Sequence, residues 1–220
     1  MRLTTKLIIA ATLILQTYLS QASAINLLTN GSFESLDFNS NWTYRTIPDT
    51  DVAGWTWDSG SAMEFWNTPF LGVDAVDGSV IAELNAHGGY GNDGYSFYQE
   101  FATVAGQSYD YSFSYRARSD NDEQFHFGIT QFLDNNTEIF DSFTYDDHVT
   151  GRWSLAQGSF IALGSTSQIG FWSDDAIGDT VGNLLDDVVV TTSVPEPGSL
   201  ALLGLGLLAL GISRRQMKAQ

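Results

Sequence analysis

The sequence contains no cysteine among its 220 residues. Disulfide scaffolds, thiolate metal sites and cysteine nucleophiles are therefore excluded. Positive charge is also scarce, because residues 25–193 hold 25 of the 26 acidic residues but only four of the nine basic ones, all arginines. Binding of nucleic acid through its phosphates needs Lys and Arg, so this composition excludes it. It also argues against docking on anionic lipid headgroups.

Aromatic residues, by contrast, are plentiful in the same region. Residues 25–193 hold 28 of the 29 aromatic residues, including all six tryptophans. Such a supply of large apolar side chains supports a packed core, so the high acidity does not indicate disorder. The length is that of one ordinary domain. We therefore predict a single domain over residues 25–193.

The first 24 residues have the three parts of a secretory signal. Arg2 and Lys6 supply positive charge, residues 7–15 form an apolar run, and Ala22-Ser23-Ala24 is a small-x-small cleavage site. The apolar run is too short to span a membrane permanently. The pattern predicts an exported protein from which residues 1–24 are removed.

The last 27 residues are arranged as a linker (194–199), an apolar segment (200–212) and a basic tail (213–220). As a helix, the apolar segment and its flank would cover about 22 Å, short of the ~30 Å hydrocarbon core, so we predict a marginal transmembrane helix. The basic tail should stay cytoplasmic and leave the acidic domain outside.

Pro195, Glu196 and Pro197, followed by the apolar segment and then by Arg214 and Arg215, resemble the PEP-CTERM sorting signal. The resemblance implies processing by an exosortase, a membrane transpeptidase-like enzyme, in a bacterium that makes exopolysaccharide and lives in biofilms. It implies a place at the cell surface or in the extracellular matrix, with transient anchoring in the membrane by the C-terminus. Many unrelated domains carry this tail, so it does not indicate what the domain does.

Strand patterns recur through the domain, and no long helical pattern interrupts them. The clearest is residues 109–116, where four aromatic residues alternate with polar ones. Residues 98–104 precede it, and the turn at 105–107, which contains a glycine, predicts a hairpin. Further strands are predicted at 26–28, 79–84, 125–133, 138–145, 158–163, 168–172 and 184–191, and long loops at 36–60 and 86–96. This spacing predicts an all-β, antiparallel two-sheet sandwich or barrel.

The flanks of the domain resemble jelly-roll carbohydrate-binding modules of the galactose-binding-like kind. Residues 26–34 (NLLTNGSFE) look like their first strand, Gly54-Trp55 follows as in such modules, and residues 184–190 (LLDDVVV) look like their last strand. Residues 63–67, 82–85, 98–99 and 105–109 match a related pattern of bacterial surface domains. The resemblance implies an antiparallel jelly-roll sandwich and, in many members, a carbohydrate ligand.

The same resemblance implies a structural calcium ion. In these modules an acid at the end of the first-strand motif and an acid in the last strand often bind Ca²⁺, and here these are Glu34 and Asp187, with Asp186 as a neighbour. Carboxylates together with backbone carbonyls supply the six to eight oxygens that Ca²⁺ takes, and a strongly acidic domain gains from binding a cation. The alternative is that these acids are ordinary surface residues.

Aromatic residues in loop-rich segments are the candidate ligand-binding residues. Sugar rings pack on aromatic faces while nearby polar groups bind their hydroxyls. The candidates are five aromatic residues and one polar neighbour: Trp42, Trp55, Trp57, Tyr90, Tyr95 and Asn92. Each tryptophan also has a core interpretation, which we favour for Trp66 and Trp172.

Catalysis has little support in the sequence. Glycoside hydrolysis needs two carboxylates about 5–10 Å apart, and Glu64, Glu83 and Glu100 are candidates, but among 25 acids some pair always looks suitable. The three histidines do not have metal-ligand spacing. We therefore expect an exported, non-catalytic protein that binds extracellular polysaccharide. The alternatives are a matrix or adhesion protein that acts through protein contacts, and a glycoside hydrolase or lyase.

Overall fold

The computed structural model describes residues 25–36, 38, 42–47, 52–57, 63–84, 95–119, 124–133, 137–146, 149–173, 181–193 and 206. Within these ranges the chain forms eleven strands: β1 (Tyr44–Ile47), β2 (Thr56–Trp57), β3 (Met63–Asn67), β4 (Val80–Glu83), β5 (Tyr95–Ala102), β6 (Ser108–Ala117), β7 (Phe125–Phe132), β8 (Glu138–Tyr145), β9 (Ser154–Ile161), β10 (Thr166–Ser173) and β11 (Asn183–Thr192).

The strands make two antiparallel sheets that pack face to face. One has six strands in the order β1-β3-β4-β11-β6-β9, and the other has five in the order β2-β5-β10-β7-β8. Aromatic rings from both sheets meet between them; the Phe113 ring of β6, for example, lies 4.9 Å from those of Phe127 and Phe171 in the other sheet. The predicted all-β, two-sheet antiparallel architecture is thus confirmed.

The alternation in β6 sets the inward face of that strand. Tyr109, Tyr111, Phe113 and Tyr115 are all buried, because successive side chains of a strand point to opposite faces. Strong period-2 patterns of this kind also place β7, β8 and β10 close to their predicted ranges.

The hairpin predicted across residues 105–107 is wrong, because β5 and β6 belong to different sheets. The turn instead crosses the edge of the sandwich beside the segment that joins β9 to β10. Gly106 N donates to Ala162 O at 2.7 Å, and Ala162 N donates to Gln107 O at 2.9 Å. The crossing lets the aromatic faces of both strands point into one core, where Phe101 and Tyr109 each contact the ring of Phe160.

Two local expectations also differ from the structure. The segment 36–60, expected as a loop, contains the short strands β1 and β2. Residues 26–28, expected as a strand, have no strand assignment, yet they run beside β11 through the hydrogen bond from Leu27 N to Val190 O at 2.8 Å. Side-chain bonds of Asn26, rather than a regular ladder, complete this contact.

The predicted signal peptide (1–24), the linker (194–199), the sorting helix (200–212, apart from residue 206) and the basic tail (213–220) lie outside the described residues. In the described part of the chain, no helix has the length and apolar character needed to cross a membrane.

Candidate functional site

A groove of about 400 Å³ lies on the outer face of the five-stranded sheet. Strands β5, β10, β7 and β8 line it side by side. The inward residues of these strands, such as Phe97 and Phe171, belong to the core, so the residues that alternate with them form the groove.

Two glycines form the floor. Gly170 of β10 and Gly128 of β7 are directly opposite in the register of the sheet. A Cβ atom at Gly128 would lie 2.5 Å from Phe140 Cε2 and 2.9 Å from Trp172 Cζ3, whereas a Cβ at Gly170 would meet nothing closer than 3.4 Å. The glycine at position 128 therefore allows the two rings to approach the sheet.

The rings of Trp172 and Phe140 form one wall. Their centroids are 5.7 Å apart with planes inclined by 39°. The indole of Trp172 also stacks on the imidazole of His126 at 5.0 Å and 17°, and His126 Nδ1 is hydrogen-bonded to Thr144 Oγ1 at 2.9 Å. These neighbours hold the half-buried indole in one orientation at the groove.

Polar side chains complete the lining. Gln168 is opposite Thr130 across the β10–β7 pair, and Ser96 is opposite Trp172 across the β10–β5 pair. Tyr98 of β5 is opposite Gly170 of β10, so it lies on the side of the floor away from Phe140. Aromatic faces beside an amide and hydroxyl groups are the composition expected where a flat, hydroxyl-rich molecule binds.

The interpretation of Trp172 as a core residue is wrong, whereas that of Trp66, which is fully buried, is confirmed. The signal for the groove was present in β10, where Gln168, Gly170 and Trp172 alternate with the apolar residues Ile169 and Phe171. Such alternation assigns the tryptophan to the outward face, but it does not reveal which strands lie beside it.

Two of the predicted ligand-binding tryptophans lie away from the groove. Trp55 is a core residue, only 2% exposed; its ring lies 4.8 Å from that of Phe97, and its Nε1 donates to Asn30 O at 3.0 Å. Its predicted role in stacking on a ligand does not fit this burial. Trp42 is 57% exposed but precedes β1, at the edge of the six-stranded sheet.

Of the other predicted ligand-binding residues, the structure describes the backbone positions of two. Trp57 ends β2 and pairs with Phe97, and Tyr95 begins β5 opposite Ser173, so both belong to the sheet that carries the groove. Tyr90 and Asn92 lie outside the described residues.

The structure describes both predicted calcium ligands, Glu34 and Asp187. Glu34 is exposed, and its Oε1 accepts hydrogen bonds from Ser79 N at 2.8 Å and Val80 N at 2.6 Å. Asp187 is half-buried at an irregularity in β11, with a φ of 51°. Among the described residues, no three His, Asp or Glu side chains are grouped to hold a metal ion. The calcium site stays a prediction.

Asp186 is the buried acid of the last strand. Its Oδ2 accepts from Val76 N at 2.6 Å and Asp77 N at 3.0 Å, and its Oδ1 accepts from Asp187 N at 2.6 Å. Burial raises the pKa of Asp186 to about 6, against the opposing effect of these amide donors. The carboxylate thereby attaches the segment before β4 to β11.

A second acidic pair is buried on the outer side of the six-stranded sheet. Glu64 and Glu83 are opposite each other in the β3–β4 register and only 3% and 0% exposed. Glu83 Oε1 accepts from Gly182 N at 2.8 Å and from Arg118 Nη1 at 3.0 Å, and the guanidinium of Arg118 lies 4.8 Å from the ring centroid of Trp66. Burial raises the pKa of Glu83 to about 8, since the Gly182 amide and Arg118 offset only part of its effect.

This pair is closed to solvent and lies on the sheet that does not carry the groove. The third candidate, Glu100, is exposed on β5 of the other sheet. The three glutamates therefore do not share one site.

Comparison with known proteins identifies the tail and the fold. Residues 193–215 match the PEP-CTERM protein-sorting motif. No curated protein matches the chain in sequence. A structure described as Family 16 Carbohydrate Binding Module-2 is similar, with 17% identity and a TM-score of 0.52, over 76% of this chain and 99% of that one.

A second similar structure is the tandem CBM22-1-CBM22-2 domain of Xyn10C from Paenibacillus barcinonensis. It shares 15% identity and a TM-score of 0.50, over 81% of this chain and 49% of that chain. At such identities the similarity shows the fold alone. The chain therefore carries a PEP-CTERM sorting motif, which indicates an exported protein transiently anchored at its C-terminus and implies processing by an exosortase, and its domain has a jelly-roll fold like that of carbohydrate-binding modules.

Proposed function

We propose that the domain binds a polysaccharide chain in the groove of the five-stranded sheet, without cleaving it, at the cell surface or in the extracellular matrix. The observation that carries this proposal is the pair of rings, Trp172 and Phe140, held over a two-glycine floor beside the polar side chains of Gln168 and Thr130.

The geometry of the groove supports binding by preformed contacts. His126 and Phe140 fix the indole of Trp172 before any ligand arrives, so little side-chain freedom is lost on binding. The apolar face of a sugar ring can pack on the indole, while its hydroxyls reach the amide of Gln168 and the hydroxyls of Thr130 and Ser96.

Binding without cleavage is supported by the character of the lining. None of the described side chains that line the groove is a carboxylate, and hydrolysis of a glycosidic bond needs a facing pair. The sorting motif supports the location, since a domain released or anchored outside the cell meets extracellular polymers first.

The test is affinity electrophoresis of residues 25–193 in gels that contain a soluble polysaccharide. We use two backbone-matched pairs, hydroxyethyl and carboxymethyl cellulose, and fully methyl-esterified and unesterified polygalacturonate, together with polysaccharide extracted from the producing cells. We expect at least one polymer to retard the wild-type domain, and Trp172→Ala to lose at least tenfold in affinity, the effect of about 1.4 kcal/mol.

The matched control is Leu155→Ala, a truncation of a side chain that is 61% exposed on β9 of the other sheet. It should bind like the wild type. If no polymer retards the folded domain, the proposal is rejected in favour of a matrix or adhesion protein that acts through protein contacts. Release of reducing ends during the assay would show a hydrolase or lyase instead.

A further inference from the structure

The arginines of the domain lie on or next to strands of the sheet that does not carry the groove. Residues 25–193 contain four arginines and no lysine. Arg45 is on β1, Arg116 on β6, Arg118 directly after β6, and Arg152 shortly before β9, and each of these strands is part of the six-stranded sheet.

Two of these arginines are engaged on that sheet. Arg118 is bonded to Glu83 and stacks on Trp66. Arg116 is buried with its guanidinium 5.7 Å from the ring centroid of Trp153. Moving either one to the groove would break these contacts and would require it to cross the sandwich.

The segments that the structure does not describe cannot supply a cation from lysine or arginine either. Between residues 25 and 193 they contain neither residue, but they do contain many acids, for example Asp120, Asp122 and Glu123. These segments therefore contribute acids and two histidines, His87 and His148, but no lysine or arginine.

A carboxylate stands beside the groove itself. Glu100 of β5 is exposed and is directly opposite Gln168, which in turn is opposite Thr130. Glu100, Gln168 and Thr130 therefore share one cross-strand row on the outer face, and an anionic group bound near Gln168 would be close to the Glu100 carboxylate.

From these observations we infer that the groove selects an uncharged polysaccharide and rejects chains that carry uronate or sulfate groups. The inference rests on the proposed function and adds its substrate class. An anionic chain would lose water from its charges and find no lysine or arginine in return. The nearby imidazole of His126 is already stacked on Trp172 and bonded to Thr144. Glu100 and the acidic domain as a whole would repel the chain, and like-charge juxtaposition is a strong means of rejecting wrong partners.

The two polymer pairs described above test this class, because the members of each pair share a backbone and differ in charge. At low ionic strength we expect the uncharged member to bind at least tenfold more tightly than its acidic partner. If the acidic member binds as tightly as the uncharged one, or more tightly, the inference is overturned while the proposed function stands. If no member binds, both are rejected.

A charge reversal locates the effect. Glu100→Lys and Asp110→Lys change the net charge of the domain equally, but Asp110 is exposed on β6 of the other sheet. We expect Glu100→Lys to raise affinity for the acidic polymers severalfold, with the gain removed by 0.5 M salt at a Debye length of roughly 4 Å, and Asp110→Lys to produce little gain. Equal gains from both variants would overturn the inference, because the net charge of the domain, and not the groove, would then determine the affinity for acidic polymers.

Discussion

At the scale of single residues, the candidate site depends on the absence of one side chain. Gly128 and Gly170 are opposite each other, yet they face different neighbours. The rings of Phe140 and Trp172 occupy the space where a Cβ at 128 would be, and the space above Gly170 is open to within ordinary contact distance of Tyr98. Contacts below 3.0 Å force a shift, and contacts of 3.4 Å or more do not.

This difference predicts unequal effects of the same substitution. Gly128→Ala should displace the rings of Phe140 and Trp172 and weaken polysaccharide binding by roughly tenfold or more, whereas Gly170→Ala should leave the rings in place and cost less. Affinity electrophoresis and the intrinsic tryptophan emission of the two variants measure this. Equal losses of binding, with unchanged emission in both, would contradict the role assigned to Gly128.

At the scale of elements, the first segment is attached to the last strand by side-chain bonds that the sequence pattern did not show. Asn26 Nδ2 donates to Val188 O at 3.0 Å, and Asn26 Oδ1 accepts from Val190 N at 3.0 Å and Leu28 N at 3.1 Å. Val188 N donates to Gly31 O at 3.0 Å. A strand was predicted here from the apolar residues, but one asparagine side chain replaces part of the ladder.

Asn26→Ala should therefore destabilise the domain by about 2 kcal/mol, since it leaves Val190 N and Val188 O without this partner. Chemical denaturation measures the loss, with Gln157→Ala, an exposed residue of β9, as the matched control. A change below 0.5 kcal/mol, as for an ordinary surface position, would contradict the role of Asn26.

Thermal unfolding of the domain tests the calcium prediction. An ion held between Glu34 and Asp187 would bind only the folded state, so chelation would lower the melting temperature, and Ca²⁺ would restore it while Na⁺ of equal ionic strength would not. Asp187→Ala would remove this dependence. Identical melting temperatures in chelator and in millimolar Ca²⁺ would exclude the ion. The hydrogen bonds alone would then connect the first segment to the last strand.

At the scale of the whole molecule, buried carboxyl groups make the folding stability depend on pH. Burial raises the pKa of Glu83 from 4.5 to about 8 and that of Asp186 from 3.8 to about 6. The folded state therefore holds these protons more tightly than the unfolded chain, in which both groups titrate near their ordinary values. By linkage, stability increases as the pH falls from about 8 to about 4.5 for Glu83, and from about 6 to about 4 for Asp186.

We expect the free energy of unfolding to be roughly 3 kcal/mol greater at pH 5 than at pH 8, and relief of repulsion among the many acids acts in the same direction. Denaturant titrations across this range measure the slope. Glu83→Gln should flatten it, and Glu138→Gln, at an exposed position on β8, should not. Greater stability at pH 8 than at pH 5 would contradict the assignment.

The sequence by itself determined the all-β class, most strand positions and the sorting motif, because these depend on local alternation, composition and the order of short segments. Only the tertiary structure decided the site. Alternation along β10 places Trp172 on the face opposite Phe171, but the groove also needs Gly128 and Phe140 from strands that are distant in sequence. Local pattern assigns a side chain to one face of its strand, but long-range pairing decides whether that face meets the core or solvent.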